Sequence, residues 1–162
     1  MSLTTLFVVA ANVITMIVAA GLLMLVLWQD PRRRANQFFA LGMVNLGGYA
    51  GVNAFGRFVD DLGADPERMF FVASHFYGLF VVGIFFFAYE YAVNRTKAMR
   101  LVRNVGMVLV VTQFIVLWTG NMVEGVTPIG DGGYKWDFTP YGVFTTSMIA
   151  VYMAVATIVL YN

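Results

Sequence analysis

The sequence offers few side chains that could do chemistry, and its histidine is the first to consider. His75 is the only histidine among 162 residues, and the chain has no cysteine. Protein metal sites normally use three or four ligands, and bis-histidine haem ligation needs a second histidine, so neither is predicted within this chain. Single-point pigment ligation and proton sensing stay open for His75. The simpler interpretation is a packed, hydrogen-bonded histidine on an apolar helix.

Acid–base and nucleophilic chemistry are equally sparse. Glu90 lies within an apolar run, and a proton relay would need a second carboxylate deep in the same layer. We expect Glu90 to be an interfacial carboxylate, paired with Arg95 or with the basic cluster Arg32–Arg34. The sequence has no Gly-rich phosphate loop and no nucleophile–histidine–acid set, and its last apolar run has no lysine for a retinal Schiff base. We therefore predict a non-catalytic chain, and its residues specify no cofactor.

Polar residues recur every four positions along the second apolar run. Asn45, Tyr49, Asn53 and Arg57 would lie on one face of a helix. Polar groups inside a bilayer cost free energy unless they are satisfied, so this face has two interpretations. It belongs to a central helix whose amides bond to neighbouring helices, or it lines a pocket for a ligand or water. Other polar residues in the spans, such as Gln113, are expected to make ordinary interhelical hydrogen bonds.

Small residues on the same run indicate close helix packing. Gly47 and Gly51 form a small-xxx-small pair, which lets two helix backbones approach one another. We expect this face to pack inside a bundle or against a partner protein.

Residues 120–139 form the one long connection of the chain. Asp131–Gly132–Gly133 is a turn signal. Aromatic and charged residues alternate after it, which predicts an extended or hairpin-like element with its aromatics on one side. The aromatics would form a belt on the membrane surface, cap the outer mouth of the bundle, or contact a partner. They are Tyr134, Trp136 and Phe138.

The elements that must position these residues are five long apolar runs, at 3–28, 36–59, 69–93, 104–123 and 140–162. Each run is long enough to cross a hydrocarbon core of about 30 Å as a helix. Barrel strands would alternate over ~10 residues, whereas these runs are continuous. The predicted fold is therefore all-α, with five transmembrane helices in a single bundle that covers residues 1–162. The predicted location is the cell membrane, with several passes through the lipid bilayer.

The charges of the connections predict the orientation of this bundle. Seven of the ten basic residues fall in the connections 28–37 and 94–104, whereas the other two connections carry mostly acidic residues. Cytoplasmic connections are the ones enriched in Lys and Arg, so the amino terminus is predicted to lie outside. A net charge of only +1 argues against a nucleic-acid partner.

Several short motifs give the chain a family resemblance. They are Trp28 before a basic turn, Phe87–Ala88–Tyr89–Glu90–Tyr91, Trp118–Thr119–Gly120–Asn121, and Tyr141–Gly142. In this order they are similar to the seven-helix membrane sensor domain at the amino terminus of some histidine kinases and diguanylate cyclases. The chain departs from the family pattern at Glu124, where a histidine often stands. The given sequence stops at Asn162, before the family's two further helices and its cytoplasmic effector.

The resemblance implies a sensory input module, in which a ligand or the state of the membrane shifts the packing of a bistable bundle. The alternative is a non-catalytic accessory subunit that packs into a larger membrane complex, or into a homo-oligomer, through its small-residue faces. A sensor of this kind is expected to place its input site at the outer loop and the outer ends of the second and third helices. The candidate residues are Asn53, Arg57, His75, Tyr134 and Trp136.

Overall fold

A computed structural model describes residues 3–58, 65–91, 96–129 and 133–161 of the chain. Over these ranges the chain forms five α-helices, a short 3₁₀ turn and one pair of β-strands. The helices are α1 (Leu3–Gln29), α2 (Arg34–Phe55), α3 (Pro66–Tyr91), α4 (Lys97–Trp118) and α5 (Pro140–Tyr161), the 3₁₀ turn is Gly56–Phe58, and the strands are β1 (Val123–Ile129) and β2 (Gly133–Phe138).

The helical class predicted from the apolar runs is confirmed. By length and composition, α1, α2, α3 and α4 could each cross a membrane, so the chain has the character of a membrane protein. In the described part of α5 the apolar segment is shorter, Pro140–Val155. The fifth span and the outward orientation of the amino terminus therefore stay predictions.

The fourth helix differs from the predicted range 104–123 at both ends. Thr96 starts it earlier, because its side-chain oxygen accepts a hydrogen bond of 3.2 Å from the backbone N–H of Met99. Gly120 ends it earlier, because its φ of +72° allows a left-handed turn. The N–H of Asn121 then reaches back to the carbonyl of Val116, as in a Schellman motif. The basic residues expected in the connection 94–104 thus lie partly on the first turns of α4.

Within this mostly helical fold, an antiparallel β-hairpin of β1 and β2 joins α4 to α5. Its register pairs Val126 with Trp136 and Pro128 with Tyr134. The alternation of aromatic and charged residues had predicted an extended element here, and that pattern is the reason the chain leaves the helical state.

Several predictions from the connections concern residues outside the described ranges. The first two residues of the turn predicted at Asp131–Gly133 lie there. The acidic residues Asp60 and Asp61 lie there too, as does Arg95, the proposed partner of Glu90.

Each helix packs mainly along its neighbour in the chain. The closest approach is between α2 and α3, where a Cβ added to Gly83 would meet the backbone nitrogen of Gly42 at 2.5 Å. Only a residue without a side chain permits this separation of two helix backbones. These two glycines therefore fix how α2 and α3 cross.

The predicted packing pair Gly47 and Gly51 faces α1. A Cβ on Gly47 would lie 3.8 Å from the Cβ of Ala19, and one on Gly51 would lie 3.5 Å from the Cε of Met16. These are ordinary van der Waals distances, so this interface is looser than the α2–α3 crossing.

Asn45 is buried on α2 and is satisfied within its own helix. Its side-chain amide donates a hydrogen bond of 2.7 Å to the carbonyl oxygen of Leu41. The bond observed is therefore intrahelical, whereas the first interpretation of the polar face expected bonds to neighbouring helices.

A small aromatic core joins α3, α4 and α5 towards the basic end of the molecule. Phe85, Tyr89, Met99 and Tyr152 form it, and all four are buried. The guanidinium of Arg103 covers this core, with its carbon 4.9 Å from the centre of the Tyr89 ring. In contrast, α1 exposes large apolar side chains along most of its length, as a helix in contact with lipid does.

Candidate ligand cavity

A cavity of about 490 Å³ lies at the end of the molecule that carries the hairpin. Its volume falls within the roughly 300–1,000 Å³ of small-molecule sites. The α2 end, the first half of α3 and strand β2 form most of its wall, and α4 and α5 contribute one residue each. The lining residues are Tyr49, Val52, Asn53, Gly56, Arg57, Pro66, Met69, Phe70, Ala73, Ser74, Tyr77, Gln113, Met122, Tyr134, Trp136, Phe138 and Thr146.

Strand β2 forms the roof of the cavity with its three aromatic residues. The Trp136 ring lies 4.6 Å from the Phe70 ring of α3, and the Phe138 ring meets the same Phe70 edge-on at 5.9 Å. Tyr134 lies 6.1 Å from Trp136. Aromatic pairs at these separations are worth about 0.5–1.5 kcal/mol beyond their buried area. The aromatics therefore cap the mouth of the bundle, which was one of the arrangements left open by the sequence.

The opposite face of the hairpin is polar. Lys135 and Asp137 form an exposed ion pair at 2.8 Å, and the hydroxyl of Thr127 lies 3.4 Å from the Asp137 carboxylate. The mutual hydrogen bond, and then the opposite charge, raises the pKa of Lys135 and lowers the pKa of Asp137. Because the pair is exposed, it contributes little to stability. It does show that β2 presents charge outwards and aromatic surface inwards.

The base of the hairpin is fastened to the start of α5. The Thr139 hydroxyl donates to the carbonyl of Asn121 and accepts a hydrogen bond of 2.9 Å from the N–H of Gly142, as an N-cap residue does. The backbone N–H of Thr139 donates to the Met122 carbonyl at 3.2 Å. At Gly142 an added Cβ would collide with that same carbonyl oxygen. Movement of the hairpin is therefore coupled to the first turn of α5.

The outer part of the cavity contains two polar side chains from the predicted face of α2. Asn53 and Arg57 both line it, and Arg57 is the one charged side chain among the described lining residues. Within the described part of the chain, neither side chain forms a hydrogen bond or an ion pair.

The deeper part of the cavity contains a buried amide. Gln113 is only 4% exposed, and its Oε1 has no hydrogen-bond partner in the described structure. This oxygen lies close to Gly78 of α3, where an added Cβ would be 3.7 Å away. A buried polar atom without a partner costs about 1–3 kcal/mol, so it marks a strained or functional position. The interhelical hydrogen bond expected for Gln113 is not made by this atom.

His75 is placed outside the cavity lining, at the interface of α3 and α4. Its Nδ1 lies 2.7 Å from the carbonyl oxygen of Phe71, and its Nε2 lies 2.8 Å from the indole nitrogen of Trp118. A carbonyl only accepts and an indole N–H only donates, so Nδ1 carries the proton and Nε2 accepts. The ring also packs against Phe114, with 5.2 Å between centres. Both nitrogens are thus used in holding α3 to α4.

The structure brings together four of the five predicted input-site residues. Asn53, Arg57, Tyr134 and Trp136 share the cavity, although about 80 residues of sequence separate the two pairs. Sequence reasoning missed Phe70 and Ser74. Their spacing with Tyr77 along one face of α3 was the available signal.

No family model matches the chain, and no curated protein or solved structure shows significant similarity to it. The described residues also contain no group of three or more His, Cys, Asp or Glu side chains placed to hold a metal ion. What stands on observation is therefore a helical membrane-type fold with a cavity roofed by an aromatic hairpin.

Proposed function

We propose that the chain is a non-catalytic integral membrane module that binds a small molecule in this cavity and acts as an input domain. The convergence of Asn53 and Arg57 with Tyr134 and Trp136 is the observation that supports the proposal most directly. A cavity with an apolar wall and a few convergent polar groups is the usual form of a small-molecule site.

The proposed topology is five spans with the amino terminus outside. The segregation of basic residues supports it, because Arg33 lies over the Tyr91 ring and Arg103 over the Tyr89 ring at the end opposite the hairpin. Arginines that pack on interfacial tyrosines are expected at a cytoplasmic membrane surface. The cavity and the hairpin then lie on the outer side, where a sensor would meet its ligand.

Transmission would begin at the hairpin. A ligand that contacts Trp136 changes the packing of β2 on Phe70, and the Thr139 hydrogen bonds carry that change to the first turn of α5. A ligand shifts such an equilibrium only by its difference in affinity for the two packings. In this proposal, the two states differ in how closely the hairpin seats on α3.

The test is to identify what the protein retains in its native membrane. The full chain is purified from native membranes and denatured, and the released small molecules are compared by mass spectrometry. We expect a compound that is retained by the unaltered protein and by Trp28→Ala, whose side chain is 90% exposed, but lost from Trp136→Ala. An extract that is identical for all three proteins contradicts the proposal.

The second candidate is an accessory subunit of a larger membrane assembly. The exposed apolar surface of α1 favours it, because α1 packs along α2 and leaves its remaining faces open. Alanine at Arg57, His75 or Trp136 separates the two candidates when variants are scored for both signalling and protein co-purification. Loss of a co-purified protein without a change in signalling favours the subunit.

A further inference from the structure

The cavity has a polarity that restricts the class of its ligand. This step rests on the proposed function, because it assumes that the cavity binds a small molecule. Arg57 lines the outer part, and the described lining residues include no Asp, Glu or Lys. The described lining residues therefore carry one formal positive charge and no negative one.

A guanidinium among described lining residues that are otherwise uncharged favours an anion. Arginine presents a planar fork of N–H donors that matches a carboxylate, and the resulting charge-assisted bonds are stronger than bonds between neutral groups. The amide of Asn53, one helical turn before Arg57, adds a donor and an acceptor on the same side. These two residues form an anchor for the acidic end of a ligand.

The middle of the cavity selects a flat apolar body. Phe70 of α3 and Trp136 of β2 pack on each other with 4.6 Å between ring centres, and together with Met69 and Val52 they form one apolar wall of the cavity. Aromatic rings stack favourably on such faces in offset arrangements. Along α3 the lining runs from Pro66 to Tyr77, eleven residues further on, so it covers about 16 Å at 1.5 Å per residue. A one-ring or two-ring molecule fits this depth.

The inner end selects a hydrogen-bonding group. The Gln113 oxygen is buried without a partner, and its amide lines the cavity. A carbonyl oxygen only accepts, so a hydroxyl or N–H group on the ligand satisfies it. The hydroxyl of Ser74, also a lining residue, is a second possible contact at this depth.

We propose that the cavity binds a small aromatic carboxylate that has a hydrogen-bond donor at the end opposite its carboxylate. The acid binds at Arg57 and Asn53, the ring lies beneath Trp136, and the donor reaches Gln113.

The test uses 4-hydroxycinnamate, which combines a carboxylate, a flat body and a distant hydroxyl. Its methyl ester lacks the negative charge, and cinnamate lacks the hydroxyl group. Binding is measured by titration calorimetry on the full chain in nanodiscs of a zwitterionic lipid, so that the membrane does not attract the anion. We expect the acid to bind at least about tenfold more tightly than the ester, as one charge-assisted bond implies.

Two variants assign the ends of the ligand. Arg57→Gln is expected to lower the affinity for the acid by about tenfold or more and to leave the affinity for the ester unchanged. Gln113→Leu is expected to lower the affinity for 4-hydroxycinnamate but not that for cinnamate. Gln113→Met replaces it in this test if the leucine variant does not fold. Arg32→Gln, at the opposite end of the molecule, is the matched control for charge and should change nothing.

Three results overturn the inference: no saturable binding of the acid, equal affinities for acid and ester, or an Arg57→Gln protein that binds the acid unchanged. The proposed function fails separately, through the extraction experiment with Trp136→Ala. A retained neutral compound whose binding depends on Trp136 would contradict the inference about the carboxylate and would still support the proposed function.

Discussion

The indole N–H of Trp118 donates a hydrogen bond of 2.8 Å to Nε2 of His75, and this bond joins the carboxyl-terminal end of α4 to α3. The other ring nitrogen, Nδ1, is bound to the Phe71 carbonyl at 2.7 Å. A histidine whose two nitrogens are both engaged in this way is held in one tautomer. Its place in the fold is therefore that of a cross-link between two helices.

This cross-link predicts a measurable coupling between the two residues. Trp118→Phe and His75→Phe each keep an aromatic ring but remove the bond between them; Trp118→Phe should lower the free energy of unfolding by about 1 kcal/mol, and His75→Phe by more, because it also loses the bond to the Phe71 carbonyl. The double variant should cost little more than His75→Phe alone, because the shared bond is lost only once. Unfolding in mixed detergent micelles measures these costs, with Trp28→Phe as the control. Strictly additive costs would show that the two side chains do not interact.

The crossing of α2 and α3 predicts an asymmetry between two glycines. Gly83→Ala should destabilise the protein by about 1–3 kcal/mol, because the new methyl group would lie 2.5 Å from the backbone of Gly42. Gly51→Ala is the matched control, because its methyl group would meet only the flexible end of Met16 at 3.5 Å. Thermal unfolding in detergent compares the two variants. Equal melting temperatures would mean that the helices do not cross at Gly83.

Local patterns in the sequence predict local structure well in this chain. The long apolar runs predicted helices, and the alternation after Asp131 predicted an extended strand with Tyr134, Trp136 and Phe138 on one side. Both follow from the periodicity of a helix or a strand, which depends only on neighbouring residues. The recurrence of Asn53 and Arg57 at helical spacing likewise predicted a shared face.

Relationships between helices were not predictable in the same way. The His75–Trp118 bond spans 43 residues of sequence, and it depends on how α3 and α4 are rotated about their axes. The Gly42–Gly83 crossing depends on the same rotation, and so does the position of Gln113 at the cavity. These helices carry apolar residues on every face, because a face towards lipid is as apolar as a face towards protein. The sequence therefore carries little information about how each helix is rotated about its axis.

The ion pair on the hairpin predicts a shifted titration. The pKa of Asp137 is lowered by its hydrogen bond to Lys135, so the pair forms above the ordinary carboxyl pKa and is lost as the pH falls through the lowered pKa. Lys135→Met should return the pKa of Asp137 towards its ordinary value. Carbon-detected NMR of the side-chain carboxyl measures it, and Thr127→Val is a milder comparison because it removes only the weaker contact. An unchanged Asp137 pKa in the Lys135 variant would contradict the pairing.

The proposed topology predicts which single cysteines react from outside the cell. The chain has no cysteine, so each introduced thiol is unique. A membrane-impermeant maleimide should label Ser2→Cys and Glu124→Cys in intact cells, and Arg100→Cys and Asn162→Cys only after permeabilisation. Labelling of Arg100→Cys in intact cells would show that the orientation is the reverse of the one proposed. Labelling of Asn162→Cys, but not of Arg100→Cys, would show that α5 does not cross the membrane.

The contact between Trp136 and Phe70 predicts how firmly the hairpin roofs the cavity. Trp136→Leu removes the closer of the two aromatic pairs between β2 and Phe70, which is worth about 0.5–1.5 kcal/mol, so opening of the hairpin should become roughly two- to tenfold more frequent. Amide hydrogen exchange of β2 should accelerate by that factor, because the β1–β2 hydrogen bonds open more readily once the hairpin has left α3. Trp28→Leu is the matched control, since Trp28 is 90% exposed at the other end of the molecule. Phe70→Leu should reproduce the acceleration from the α3 side. If exchange in β2 responds to neither Trp136 nor Phe70, the hairpin is held by its fastening at Thr139 alone.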